Sequence, residues 1–264
     1  MECRYEVFTA FSLYGLGLPG GLVALSRGEW RLPGIGHGSP VVSGGKVFVL
    51  AADEKTYRLS YSTPCVITVE GRKMLVFTNW QHGFTVIDPK GGAVLGELSV
   101  FDTEVKERAI SSPIVWEDLV IGTCGFTTNP KHCVAVRVGK DGSLTEVWRI
   151  EKAVPHIPTP LIVEDLLYLW DDKGLLTCVD PATGKIFYNE RVPTRGTTFG
   201  SPVSDGKTIF CTDEGGNVHA VAVGKEFEVL AMNKLGELCR STPAMSGGMM
   251  YVRTFEHVIA ISGE

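Results

Sequence analysis

The chain has 264 residues, enough for one large all-β domain or two ordinary ones. It carries 25 Lys and Arg against 30 Asp and Glu, a formal charge of −5 with the two signs interspersed, which excludes the basic stripe that nucleic-acid binding needs. Its 31 Gly and 14 Pro punctuate short runs of Val, Ile, Leu, Phe and Thr, the composition of many strands and many turns.

Residues 1–28 read as an N-terminal extension or degenerate leader. The longest apolar stretch, Phe8 to Leu25, is broken by Gly15, Gly17, Pro19, Gly20 and Gly21, so no transmembrane segment is expected. It ends in a small-x-small pattern at Ala24-Leu25-Ser26, as a secretory signal does, but Glu2 and Glu6 against Arg4 give the wrong charge for one.

Residues 29–264 carry an internal repeat and are expected to form one domain. A Ser/Thr-Pro dipeptide, an apolar run, a turn and a second apolar run recur at Ser39, Thr63, Ser112, Thr159, Ser201 and Thr242. The spacings are 24, 49, 47, 42 and 41 residues, and all but the first match a four-stranded blade of a propeller. The clearest copy runs from Thr159 through Leu161-Ile-Val, Glu164-Asp165, Leu166-Leu-Tyr-Leu-Trp170, the acidic turn Asp171 to Gly174, Leu175-Leu-Thr-Cys-Val179 and the turn Asp180 to Gly184. Ser201 to Val223 repeats it with Asp205-Gly206 and Asp213-Glu214-Gly215-Gly216 at the turns, where Gly supplies the positive φ of tight hairpins. Proline suits a first strand position, which need not donate to the ladder.

A fourth strand is marked by a bulky residue 9 to 17 positions before the next Ser/Thr-Pro: Trp30, Leu95, Trp148, Tyr188 and Leu230. Nothing comparable precedes Thr63, so the first copy, Gly38 to Ser60, is expected to be short, with two good strands and a remnant third around Tyr57 to Leu59. The last copy stops after His257 to Ile261 without a fourth strand, while Glu29-Trp30-Arg31-Leu32 stands near the N-terminus without a blade. Pairing the two closes the ring and removes an open edge. The expected fold is therefore all-β, a propeller of about six blades of four antiparallel strands, with the first blade incomplete and the N-terminal strand closing the ring.

Seven cysteines, an odd count without CxxC or adjacent pairs, sit mostly in apolar runs and read as structural thiols. The six histidines have no HxxxH or HExxH spacing, so no metal site is expected, and no Ser stands in a G-x-S-x-G elbow.

The repeat resembles the PQQ-like repeat family, on Ser201-Pro202 with Asp213 and Gly215, and on Asp180-Pro-Ala-Thr-Gly184 with Tyr188. Segments such as Tyr61-Ser-Thr-Pro-Cys-Val66 and Phe77-Thr-Asn-Trp-Gln-His-Gly83 look like bacterial propellers of unassigned function. Two related groups, the quinoprotein dehydrogenases and the outer-membrane assembly propeller lipoprotein, are similar in repeat. The resemblance implies a cell-envelope or periplasmic location and, in some members, PQQ with calcium. The quinone enzymes have eight blades, an adjacent cysteine pair and calcium-liganding carboxylates, whereas this sequence has no Cys-Cys and fewer repeats, so no cofactor is expected.

The resemblance also implies that the turns between second and third strands, and the segments leading into each first strand, share one face around the channel. The first set holds Asn79, Trp80, Gln81, His82, Asp171, Asp172, Asp213, Glu214, Glu256 and His257, and the second holds His37, Arg108, His156, Arg195 and Arg240. From these, Trp80, Gln81, His82, His156, Asp171, Asp172, Arg195 and Asp213 are the candidate ligand-binding residues; the plainer account is turn formation and a solvated rim. Trp80 stands in the most unusual local composition, placed either to stack a ligand ring or to cap the channel. The leading functional expectation is a monomeric, non-catalytic scaffold for a protein or peptide partner. The alternatives are a PQQ- or sugar-linked oxidoreductase and a fragment of a longer propeller.

Overall fold

The computed structural model describes residues 61–79, 83–101, 108–126 and 131–262, and the backbone of 41–43 and 46–48. Every regular element among them is a β-strand. A hairpin of β1 (Val41–Ser43) and β2 (Lys46–Phe48) comes first. Four antiparallel four-stranded meanders follow. The first contains β3 (Cys65–Val69), β4 (Arg72–Asn79), β5 (Gly83–Ile87) and β6 (Val94–Leu98), and the second β7 (Ile114–Trp116), β8 (Leu119–Cys124), β9 (His132–Val138) and β10 (Leu144–Ile150). The third holds β11 (Leu161–Val163), β12 (Leu166–Trp170), β13 (Leu175–Val179) and β14 (Ile186–Arg191), and the fourth β15 (Val203–Ser204), β16 (Thr208–Thr212), β17 (Asn217–Ala222) and β18 (Val229–Lys234). The last sheet has three strands, β19 (Ala244–Ser246), β20 (Met249–Arg253) and β21 (Val258–Ser262).

Six sheets thus follow six Ser/Thr-Pro starts, as blades of a β-propeller. The markers Leu95, Trp148, Tyr188 and Leu230 lie on the fourth strands β6, β10, β14 and β18. Trp30, and the remnant strand expected at Tyr57 to Leu59, fall outside the described residues.

The apolar runs of inner strands such as β5, β8 and β12 are continuous because they are covered on both faces, whereas the strands of the last sheet alternate or lie exposed. Along β12, Leu167 and Leu169 join a core shared with β8, β9 and β10, while Leu166, Tyr168 and Trp170 join one shared with β16 and β17. Alternation with period 2 therefore sorts one strand between two seams. The seam before the last sheet is thinner, built on Val218, Cys239, Met250 and Val252, and beside it lies a cavity of about 640 Å³ lined by Phe210, Met245, Met249, Met250 and Ile261 among others.

The Ser/Thr-Pro signature has a physical cause. The backbone N–H of each Ser or Thr donates to the hydroxyl of the next one: Thr63 to Ser112 at 2.9 Å, Ser112 to Thr159 at 3.1 Å, Thr159 to Ser201 at 3.0 Å and Ser201 to Thr242 at 2.9 Å. A chain of hydroxyls therefore links five successive blades. The bulky fourth-strand residue has a docking site on the following blade. Trp148 donates its indole N–H to the Pro181 carbonyl at 2.8 Å and lies over Gly184, where an added Cβ would come within 2.9 Å of the indole and φ is +73°.

Candidate functional site

The second-to-third-strand turns meet the lead-in segments, which carry Arg108, His156, Arg195 and Arg240, at one end of the blades. Gly125 pairs with Arg108, the Glu214 N–H donates to the Thr197 carbonyl at 3.0 Å, and the Phe255 N–H donates to Leu238 at 3.1 Å. Turn and lead-in of one blade are thus stitched together, which fixes every side chain between them.

Asp171 and Asp213 hold the same position, first in the turn, yet serve different networks. Asp171 Oδ1 accepts the N–H groups of Lys173 at 2.7 Å and Leu175 at 2.9 Å, within its own turn. Asp213 is fully buried and gathers the Arg195 N–H at 2.7 Å, the Asn217 N–H at 2.9 Å, the Asn217 side-chain amide at 3.0 and 2.9 Å, and His219 Nε2 at 2.8 Å. Burial would push its carboxyl up, but these donors together outweigh it and hold the group below the usual carboxylate range. Asp172 accepts the N–H of His156 at 3.2 Å and of Ile157 at 3.0 Å on Oδ1, and pairs with Lys131 through Oδ2 at 2.6 Å.

His156 is buried, edge-on to Phe126 at 5.3 Å between ring centroids, and neither ring nitrogen has a hydrogen-bond partner. Arg108 lies over the same Phe126 ring at 5.2 Å. Burial holds the His156 imidazole below the usual histidine range; Asp172 opposes the shift, while Lys131 and Arg108 reinforce it. The Arg195 side chain is exposed, and its backbone is what binds Asp213. Trp80, Gln81 and His82 fall outside the described residues, as does His37.

The Arg240 guanidinium stands between Phe199 and Phe255, at 4.8 and 5.6 Å from their ring centroids, and pairs with Glu214. That hydrogen bond leads the causes that hold the Glu214 carboxyl below its usual range. Leu238, Phe255 and Val258 are 54, 58 and 69 % exposed there, beside a cavity of about 300 Å³ lined by Arg240, Ser241, Arg253, Thr254 and Phe255. Glu237, Glu256 and His257 bring one ligand atom each within 4.8 Å of one another, with Glu237 already accepting from the Thr254 hydroxyl and bonded to His257. Sequence spacing missed Phe126, Lys131, His219 and Glu237, because each reaches its partner across a sheet or a blade seam.

Some members of the family that the repeat resembles hold a quinone with calcium, and the described residues do not fit that pair. Asp171, Asp172 and Asp213 do not converge on a common point but turn to separate backbone and side-chain donors. The described cysteines, Cys65, Cys124, Cys133, Cys178, Cys211 and Cys239, are free, and no two of them are adjacent in sequence.

Residues 138–226 match a family model described as the outer membrane protein assembly factor BamB. Among solved structures the chain is similar to BamB from Moraxella catarrhalis, at 13 % identity and a TM-score of 0.59, over 83 % of this chain and 65 % of that one. The chain thus spans less than two thirds of that protein's length. It is also similar to the computationally designed Ika8 protein, at 11 % identity and a TM-score of 0.54, over 76 % of this chain and 58 % of that one. A europium-containing methanol dehydrogenase matches at 11 % identity over 48 % of this chain and 24 % of its own, with a TM-score of 0.37. No curated protein matches the sequence.

Proposed function

Because the chain is a β-propeller of PQQ-like repeats, we propose that it is a non-catalytic scaffold that holds a protein or peptide partner on the turn-and-lead-in face. The patch around Arg240 carries this reading. Leu238, Phe255 and Val258 expose apolar surface on a backbone fixed by interstrand and turn hydrogen bonds, and Arg240 is held ready between two aromatic rings. Aromatic and Arg side chains on rigid supports are the usual anchors of protein interfaces, since little side-chain entropy remains to be lost on binding. The matched family model is described as an assembly factor, a role exercised through protein contacts. A cell-envelope site of action follows from the same premise and rests on the family description alone.

The test is selection of binders from a displayed peptide library against the full chain, followed by affinity measurement on Phe255→Ala and Leu238→Asp. The expected result is a set of peptides that bind the wild type and lose about tenfold or more on each variant, or ~1.4 kcal/mol. Peptides whose affinity ignores both substitutions would move the interaction off this face and overturn the reading.

A further inference from the structure

We propose that the cluster of Arg108, Phe126, Lys131 and His156 binds a carboxylate group. This site lies on a different blade seam from the Arg240 patch and stands or falls independently of it.

His156 is 5 % exposed, and its backbone is pinned by Asp172, yet both ring nitrogens lack a hydrogen-bond partner. An imidazole carries at least one N–H, and leaving such a donor buried and unpaired is unfavourable. The Thr198 hydroxyl is also buried without a partner, and its backbone N–H donates to the Asp172 carbonyl at 3.0 Å. Orphaned buried groups are rare in folded proteins and call for a bound partner.

The charges select the partner. Lys131 is matched by the Asp172 carboxylate it pairs with, whereas Arg108, which also acts on His156, has no ion-pair partner among the described residues. One positive charge is left over. A carboxylate, with one negative charge and two acceptor oxygens, matches an Arg fork on one side and an imidazole N–H on the other.

A bound anion beside His156 favours the protonated ring, so binding takes up a proton and tightens as pH falls, for as long as the ligand itself stays ionised. The other charged groups facing the imidazole are Asp172, Lys131 and Arg108.

The carboxylate has two sources, a small free acid or an acidic side chain of a partner, and the experiment separates them. The full chain is titrated calorimetrically with succinate, and separately with acetyl-Gly-Glu-Gly-amide and its Gln analogue, at constant ionic strength, while the His156 ring nitrogens are followed by NMR. At least one carboxylate is expected to bind and shift the His156 ring signals, several-fold more tightly at about pH 5.5 than at about pH 7.5. The Gln peptide is expected to be about tenfold weaker, as is either ligand on Arg108→Gln, a change at an exposed side chain. Succinate binding alone assigns a small acid, and peptide binding alone an acidic side chain. Failure of both to bind, unchanged His156 signals on binding, or affinity indifferent to Arg108→Gln overturns the proposal.

Discussion

Asp213→Ala is the most informative single change, because four donor groups converge on one carboxylate that solvent does not reach. Removing it orphans the Arg195 and Asn217 N–H groups, the Asn217 amide and His219 Nε2, which now lie 2.7 to 3.0 Å from its oxygens. A hydrogen bond to a charged acceptor contributes about 1.5–3 kcal/mol, and breaking a buried charged network typically costs about 3–5 kcal/mol because the losses are not additive. Asp171→Ala, at the equivalent position one blade earlier, removes only the bonds to Lys173 and Leu175 N–H, so about 1–2 kcal/mol is expected. The assay is urea denaturation followed by circular dichroism, comparing both variants with wild type. A difference between them below about 1 kcal/mol would refute the reasoning, since the two turns look alike in sequence and differ only in what converges on the carboxylate. Acid sharpens the test. The folded-state value of Asp213 lies below the unfolded value of about 3.9, so its stabilisation is fully present above that pH and fades as pH falls through the folded value. Wild type should therefore lose stability relative to Asp213→Ala only below about pH 4.

Ser201→Ala should cost about 1 kcal/mol by orphaning the Thr159 N–H, and an unchanged denaturation midpoint would show that the hydroxyl chain does not couple blades. Deleting residues 1–34 should markedly lower the melting temperature if Glu29 to Leu32 pairs with β21; in a closed ring Ser39 would accept the Thr242 N–H, so Ser39→Ala should cost about as much as Ser201→Ala. An unchanged melting temperature on deletion counts against closure. PQQ with Ca²⁺ should produce neither an absorbance shift nor dye reduction, and either signal would restore the oxidoreductase reading.

What was legible in the sequence was whatever repeats along one blade. Ser/Thr-Pro survives as a signal because the hydroxyl bonds to one neighbouring blade while proline occupies a position with no ladder bond to give. Trp148 and Leu95 are legible as fourth-strand markers because each must cover the turn of the next blade, at Gly184 and Gly142 respectively. Relations across seams were not legible. Lys131 reaches Asp172 over 41 residues, a distance set by blade geometry and by no local pattern. The contrast between Asp171 and Asp213 hides in Asn217 and His219, two residues apart on β17 and hence on one side of the strand, where the neighbouring blade has Leu175 and Thr177.

The same contrast decides which chemistry the face offers a partner. Asp171, Asp172, Asp213 and Glu214 make the turn-and-lead-in end look acidic in sequence, yet each of them, and Glu237 beside them, accepts hydrogen bonds from the protein itself. Their charge is spent on holding turns and lead-in segments in place. The Arg195 side chain stays in solvent, the Arg108 guanidinium is unpaired among the described residues, and Arg240, though tied to Glu214, spreads its plane between Phe199 and Phe255 beside exposed Leu238. Apart from the exposed Glu256 beside His257, a ligand approaching this end therefore meets cations and apolar surface. A chain with net charge −5 thus presents a face suited to acidic and apolar groups, and its attraction should weaken with salt only at separations beyond the screening length of about 8 Å at physiological ionic strength, while contacts made in the cluster at His156 persist.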